Sequence, residues 1–275
     1  MRITRRAALK AFMATSIGGG VGAVTYGAAY ERHQIGLTRA TLPVTGLSPA
    51  LDGLRIGLIT DIHHSRLVPA DDVLSAIELT MAARPDLIVL GGDYVSFADR
   101  AFVDPVAELL ASLRAPHGVF AILGNHDDER DMPAALVRKG FEVLKDQRTA
   151  LQIRGETLQL AGLRFWTRRG GGTLASLVVD APGTTLLLAH DPRWLSRAAQ
   201  LGVPAVLSGH THGGQVVLPG VGAVAGRKFP VVHGLGFQGD TSIFVSRGVG
   251  TVYVPIRLNC PPEVALVTLA RRSHA

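Results

Sequence analysis

Two histidines stand one residue apart in the stretch "GHTHGGQ", Gly209 to Gln215, directly behind the apolar run "PAVLS". On an extended backbone residues i and i+2 face the same side, so His210 and His212 can converge on one point. The glycines around them permit tight turns and the close approach of another group. Similar chemistry recurs wherever a short apolar run ends. "LRIGLIT" leads into Asp61 and His63, "DLIVLGG" into Asp93, "GVFAILG" into Asn125 and His126, and "TTLLLA" into His190. Neutral imidazole, carboxylate and carboxamide oxygen together suit borderline divalent cations, and a carboxylate has two oxygens with which to bridge a pair of them.

Near-continuous apolar runs of this kind suit strands buried on both faces. In open α/β sheets, ligands bind beyond the carboxyl ends of the strands. Five such ends would therefore deliver Asp61 with His63, Asp93, Asn125, His190, and His210 with His212 to one place. Between the first two runs, "PADDVLSAIELTMAARP" carries Val73, Leu74, Ile77 and Met81 at helical spacing, with Asp71 or Asp72 as cap and Pro85 as stop. "AFVDPVAELLASLRAP" and "DMPAALVRKG" read as further helices, and "ALQIRGETLQLAGL" as a hairpin around Gly155. Residues 30–50 have no clear period and read as a linker or edge segment ahead of an α/β domain over 51–275.

The chain has 275 residues and a formal net charge of +6, but Arg2, Arg5, Arg6 and Lys10 supply four of those charges. Beyond them 24 basic side chains face 22 acidic ones, leaving +2, so a surface that tracks nucleic-acid phosphates is not implied and no nucleic-acid partner is expected. Cys260 is the single cysteine, which excludes an internal disulfide and a cysteine-rich zinc site. Residues 1–29 have the parts of an export signal: a charged start, the uncharged stretch Ala11–Ala29, and small residues at Gly27 and Ala29 for cleavage before Tyr30. The pair Arg5-Arg6 resembles a twin-arginine signal, although Ala8 stands where a bulky residue is usual. The other reading is a permanent single-span anchor, which the glycines and hydroxyls of the stretch weaken. Either way the expected location is exported, periplasmic or on the outer face of the cytoplasmic membrane, with the twin-arginine machinery as a partner and the membrane close by.

The ordered motifs "DIH" (Asp61–His63), "GGD" (Gly91–Asp93), "GNHD" (Gly124–Asp127), "AH" (His190) and "GHTH" (Gly209–His212) resemble the calcineurin-like metallophosphoesterases. The tail "VSRGVGTVYVPIRLNCPPEVALVTL" resembles a bacterial exported or membrane-associated phosphodiesterase branch that includes UDP-2,3-diacylglucosamine pyrophosphatases. The resemblance implies a four-layer α/β/β/α sandwich around two mixed sheets. It also implies two divalent metal ions, Mn, Fe, Zn or Ni. Asp61, His63 and His212 would hold one, Asn125, His190 and His210 the other, with Asp93 bridging. His126 would protonate the leaving oxygen or stabilise the transition state. The implied reaction is hydrolysis of a phosphodiester or pyrophosphate, on a lipid- or nucleotide-linked substrate, by metal-bound hydroxide. A phosphomonoesterase and a non-catalytic metal-binding scaffold are the alternatives.

Some positions depart from the family's patterns or stand outside them. Protein-dephosphorylating members carry an aspartate and an arginine where "GGDYVSF" has Ser96 and Phe97. "AGLRFWTRRGGG" supplies Arg164, Arg168 and Arg169, either to meet a polyanionic head group or to remain solvated. His64 is expected to face away from the site, and His117 and His233 to be surface or packing residues. Tyr94 and Trp194 either border the cleft or pack in the core, and Cys260 is read as a small buried residue.

Overall fold

The apolar runs become strands whose alternate side chains enter two different hydrophobic layers. In the computed structural model, which describes residues 18–272, β1 (Gly36–Val44), β2 (Arg55–Ile59), β3 (Leu87–Leu90), β4 (Val119–Ala121), β5 (Glu142–Val143) and β14 (Glu263–Arg271) form one sheet in the order β1-β14-β2-β3-β4-β5. The second sheet contains β6 (Gln147–Ile153), β7 (Glu156–Gly162), β8 (Thr184–Leu188), β9 (Ala205–Ser208), β12 (Gly234–Gln238) and β13 (Thr241–Val245), in the order β12-β13-β9-β8-β7-β6. A small ribbon pairs β10 (Val217–Leu218) with β11 (Gly222–Ala223). Both large sheets are mixed. β2, β3 and β4 run parallel, as do β7, β8, β9 and β13, while β14 is antiparallel to β2 and β6 to β7.

Leu87 and Val89 of β3 point between the sheets, with Leu186 and Leu188 of β8 and Leu207 of β9 opposite them. Ile88 and Leu90 point outward, onto Val73 and Ile77 of α1 (Ala70–Ala82), Val106 and Leu110 of α2 (Val103–Leu110) and Leu136 of α3 (Asp131–Arg138). On the far side, Leu187 of β8 and Val206 of β9 meet Leu174 of α4 (Thr173–Val178) and Leu195 and Ala198 of α5 (Leu195–Gln200). Three hydrophobic layers thus separate helices, sheet, sheet and helices. Each buried Leu, Ile or Val contributes about 1.5–3 kcal/mol, which is why these strands carry almost no polar residues.

Several local expectations change. Helix α1 begins at Ala70 after Pro69 with no side-chain cap, because Asp71 and Asp72 fall inside its first turn and not at the cap position, and Asp72 instead meets His33 at 2.8 Å. Leu74 is exposed, and Ala76 and Thr80 take the buried positions beside Val73 and Ile77. The segment read as a linker or edge segment is an edge: it contributes β1, the outermost strand of its sheet, which pairs in parallel with β14 along its whole length. Tyr94 and Trp194 are core residues. The Tyr94 hydroxyl donates to the carbonyls of Leu90 and Ile122, and Trp194 lies under the second sheet.

Residues 18–29 are helical, and the Gly27 carbonyl accepts the Arg257 N–H at 3.2 Å. Among the described residues no helix is long and apolar enough to cross a membrane. The charged start of the expected signal, Arg2, Arg5, Arg6 and Lys10, lies outside the described residues.

Candidate metal centre

The carboxyl ends of β2, β3, β4, β8 and β9 meet at one edge of the sandwich, and their loops interlock through backbone bonds. The Asp61 N–H donates to Gly92 O at 2.9 Å, the His63 N–H to Asp93 O at 3.0 Å, and the Gly209 N–H to His190 O at 3.1 Å. Five of the seven expected ligands have positive φ: Asp61 (53°), His63 (50°), Asp93 (57°), His210 (72°) and His212 (52°). Left-handed backbone costs a non-glycine residue about 1–2 kcal/mol, so this strain is concentrated where function needs particular side-chain directions. The sequence contains no direct sign of it. It does contain the glycines that make room: a Cβ at Gly209 would strike the carboxylate of Asp61 and the hydroxyl of Thr60.

Among the described residues two groups have ligand atoms within 4.8 Å of one another: Asp61, His63 and His212, and Asp93, His190 and His210. The Nε2 atoms of His63 and His212 face each other at 3.1 Å. Asp93 Oδ2 lies 3.4 Å from His63 Nε2 in the first group and 3.2 Å from His190 Nε2 in the second. Its other oxygen accepts the His126 N–H at 2.8 Å. One oxygen of Asp93 thus stands between the groups while the other fixes the carboxylate.

The residues fit divalent cations by their orphaned atoms. Asn125 Oδ1 and His190 Nε2 are among the buried polar atoms of the described residues without a hydrogen-bond partner, a condition native proteins rarely tolerate without a water or an ion. His190 Nδ1 is engaged with Gly91 O at 2.7 Å, leaving Nε2 as the free donor, which is the usual support of a ligating imidazole. Two Nε2 atoms on one cation, with bonds of about 2.1 Å, would lie roughly 3.0–3.4 Å apart, and the His63–His212 separation falls in that range.

The electrostatics of these side chains follow from the same packing. Burial disfavours charge on His190, but Asp93 and Asp61 outweigh it and raise its pKa to about 10. Burial, together with that charge on His190, pushes His210 down to about 3. Burial also opposes ionisation of Asp93, yet His190 and His63 hold its carboxyl well below the usual range.

His126 is buried beside this centre. Its Nδ1 accepts the Phe97 N–H at 3.0 Å and its carbonyl accepts the Ala98 N–H at 2.8 Å. Nδ1 as acceptor assigns the proton to Nε2, and burial lowers the pKa of the ring. Asp127 accepts the N–H groups of Asp93, Tyr94 and Gly124, each at 2.8 Å, and staples the two loops together. Buried Arg257 donates to the carbonyls of Arg247, Gly248, Gly250 and Cys260, fixing the loop after β13. Neither role is readable from the motifs alone, although Asp127 closes "GNHD".

The remaining candidates lie apart from the two groups. His64 is buried, its Nδ1 on Val68 O at 2.9 Å and its ring against Phe102. His117 is half-buried, His233 exposed, and Cys260 buried. Arg164 is committed to Asp146 and Glu129, so it is not the free cation that the sequence suggested. Arg168 is exposed, and Arg169 joins Arg193 on Asp191. Sequence reasoning also missed an aromatic surround: Phe97 and Tyr253 near His126, and Phe165 and Phe229 each 5.2 Å from His210.

Comparison with known proteins identifies the family. Residues 54–214, the span holding all seven expected ligands and His126, match the family described as calcineurin-like phosphoesterase. The chain is similar to the uncharacterized metallophosphoesterase YkuE of Bacillus subtilis, 31% identical over 93% of this chain and 92% of that one. It is also similar to the phosphodiesterase YaeI of Escherichia coli, 35% identical over 78% of this chain and 82% of the relative. An uncharacterized metallophosphoesterase of Aquifex aeolicus is 33% identical over 80% of this chain and 87% of its own. With two interlocked groups of candidate metal ligands at the carboxyl edge of a two-sheet sandwich, this chain belongs to the calcineurin-like metallophosphoesterase family.

Proposed function

We propose that this chain hydrolyses phosphodiester or pyrophosphate bonds with two divalent cations. The observation that carries the reading is Asp93 Oδ2, set 3.4 Å from His63 Nε2 and 3.2 Å from His190 Nε2. Asp61, His63 and His212 would hold one cation, Asn125, His190 and His210 the other, and Asp93 both. When bound, such a pair polarises phosphate oxygens and lowers the pKa of water.

The chain's own residues do the rest. Neutral His126, with Nδ1 occupied by the Phe97 N–H, can direct Nε2–H at the leaving oxygen and stabilise by hydrogen bonding the charge that develops there. Asp127 keeps the Asp93 and Gly124 backbones in register, so the carboxylate between the groups does not drift. Two aspartates and an attacking hydroxide against two divalent cations would leave a formal +1, which a diester monoanion neutralises and a more highly charged monoester exceeds unless further cations help. The name of the Escherichia coli relative, a phosphodiesterase, supports the same class. A lipid- or nucleotide-linked substrate and export by the twin-arginine route belong to the proposal, on the strength of the N-terminal arginines and the uncharged run behind them.

The test is turnover by the Mn²⁺-loaded protein. Bis-(p-nitrophenyl) phosphate should be cleaved with higher kcat/KM than p-nitrophenyl phosphate. The reverse preference would make the enzyme a monoesterase, and full metal occupancy without turnover of either would make it a scaffold.

A further inference from the structure

Beside His126 two aromatic rings stand in solvent on backbone that aromatic residues seldom adopt. Phe97 is 63% exposed at φ 54° and Tyr253 is 76% exposed at φ 62°. A bulky residue with positive φ is an outlier, and such a conformation persists only where its surroundings enforce it. Here the surroundings do. The N–H of Phe97 and that of Ala98, also left-handed, are both given to His126. Tyr253 sits at the centre of a γ-turn closed by the Val254 N–H on Val252 O at 2.7 Å, a rare turn when φ is positive.

Gln215, buried and three residues past His212, clamps that turn from both sides. Its Oε1 accepts the Val252 N–H at 2.7 Å, and its Nε2 donates to Val254 O at 3.2 Å. The loop that carries His210 and His212 therefore also fixes the ring of Tyr253. The rings of Phe97 and Tyr253 lie 5.6 Å apart at 62°, and 5.0 and 6.2 Å from the ring of His126. Neither ring gains much from burial, so core packing does not account for the strain.

We propose that Phe97 and Tyr253 form a subsite for a flat aromatic group carried on the leaving oxygen of the substrate, with Gln215 as a positioning residue. The assignment rests on the reading of His126 as the donor to that oxygen. Two rings meeting edge to face leave an open corner, which takes one flat ring by stacking. An acyl chain would need a longer apolar trough than two side chains provide.

The experiment is calorimetric titration of the Mn²⁺-loaded protein with three non-hydrolysable phosphonates: benzylphosphonate, hexylphosphonate and 9-[2-(phosphonomethoxy)ethyl]adenine. The aromatic pair should bind roughly tenfold more tightly than the hexyl compound, a modest value for one stacked base. Preference for benzyl without preference for adenine keeps the subsite and restricts it to simple aryl groups. Tyr253→Ala should abolish the preference with Mn content unchanged, Tyr253→Phe should retain it, and Gln215→Leu should weaken it. Equal binding, tighter binding of hexylphosphonate, no binding of any of the three, or a preference that survives Tyr253→Ala would overturn the proposal. The titration needs no chemistry, so absent turnover of bis-(p-nitrophenyl) phosphate would count against the phosphodiesterase reading alone.

Discussion

Asp127 accepts the backbone N–H of Asp93 at 2.8 Å, and so holds the residue that stands between the two ligand groups in its left-handed conformation. The same carboxylate takes the N–H groups of Tyr94 and Gly124. In Asp127→Asn an NH2 group must face at least one of these three donors. A buried donor left without a partner costs about 1–3 kcal/mol. The melting temperature in EDTA should fall accordingly, and Mn²⁺ should bind more weakly because Asp93 is less firmly held. Unchanged melting and unchanged metal affinity would show that the staple is dispensable.

Above pH 7, the pH dependence of the protein in EDTA should be set largely by His190. Burial works against its charge, but the carboxylates of Asp93 and Asp61 raise its pKa to about 10, above the ordinary value of about 6.5. A raised pKa means stability fully present below about 6.5 and lost as pH climbs through 10. The melting temperature in EDTA should therefore decline from pH 7 upward, and a saturating divalent cation should flatten that decline by replacing the proton. Loading at pH 8 should release about one proton from this group, readable as a dependence of the calorimetric heat on the buffer's ionisation enthalpy. A heat independent of buffer would contradict it.

The sequence was most legible where one residue's environment depends on its immediate neighbours. Leu87 to Leu90 are all apolar because both faces of β3 are covered, and the change to polar residues at Asp93 marks the strand's functional end. It was least legible where a partner is distant. Asp72 is a helix-capping type, but it lies within the first turn and its carboxylate meets His33, 39 residues earlier. Tyr253 appears as an ordinary aromatic in "GTVYVP" until Gln215, far back in the chain, is seen to fix its turn. The sign of φ at Asp61, His63, Asp93, His210 and His212 is likewise imposed by contacts between loops, so residue types show which groups converge but not how their backbones turn.

His126 and Asp93 should separate chemistry from metal binding. His126→Ala removes the Nε2–H donor and no ligand, although its ring packs edge-on against His63 at 4.9 Å, so metal content should remain and the rate should fall by roughly 10²–10³. Asp93→Ala removes the oxygen lying near both His63 and His190, so activity and most of the metal should go together. Undiminished turnover in His126→Ala would end its assignment as donor. Full metal occupancy in Asp93→Ala, by elemental analysis, would remove the bridge.

Two alanine substitutions at glycine should distinguish space at the site from backbone freedom elsewhere. A Cβ at Gly124 would fall on the Asp93 carboxylate and on the Asp93 backbone nitrogen. The loop has little room to retreat, because Asp127 holds the Gly124 N–H at 2.8 Å. Gly124→Ala must therefore push Asp93 away from its place between the groups. At Gly140 nothing lies within 4 Å of the added atom, but φ is +85°. Gly140→Ala should then lose roughly 1–2 kcal/mol through left-handed backbone alone, keep its metal, and keep its turnover of bis-(p-nitrophenyl) phosphate. Gly124→Ala should remain folded by circular dichroism yet lose metal and at least roughly tenfold in rate, about 1.4 kcal/mol of transition-state stabilisation. If Gly124→Ala melted lower but retained both metal and rate, like the control, the close packing of the Gly124 loop on Asp93 would have no bearing on the site.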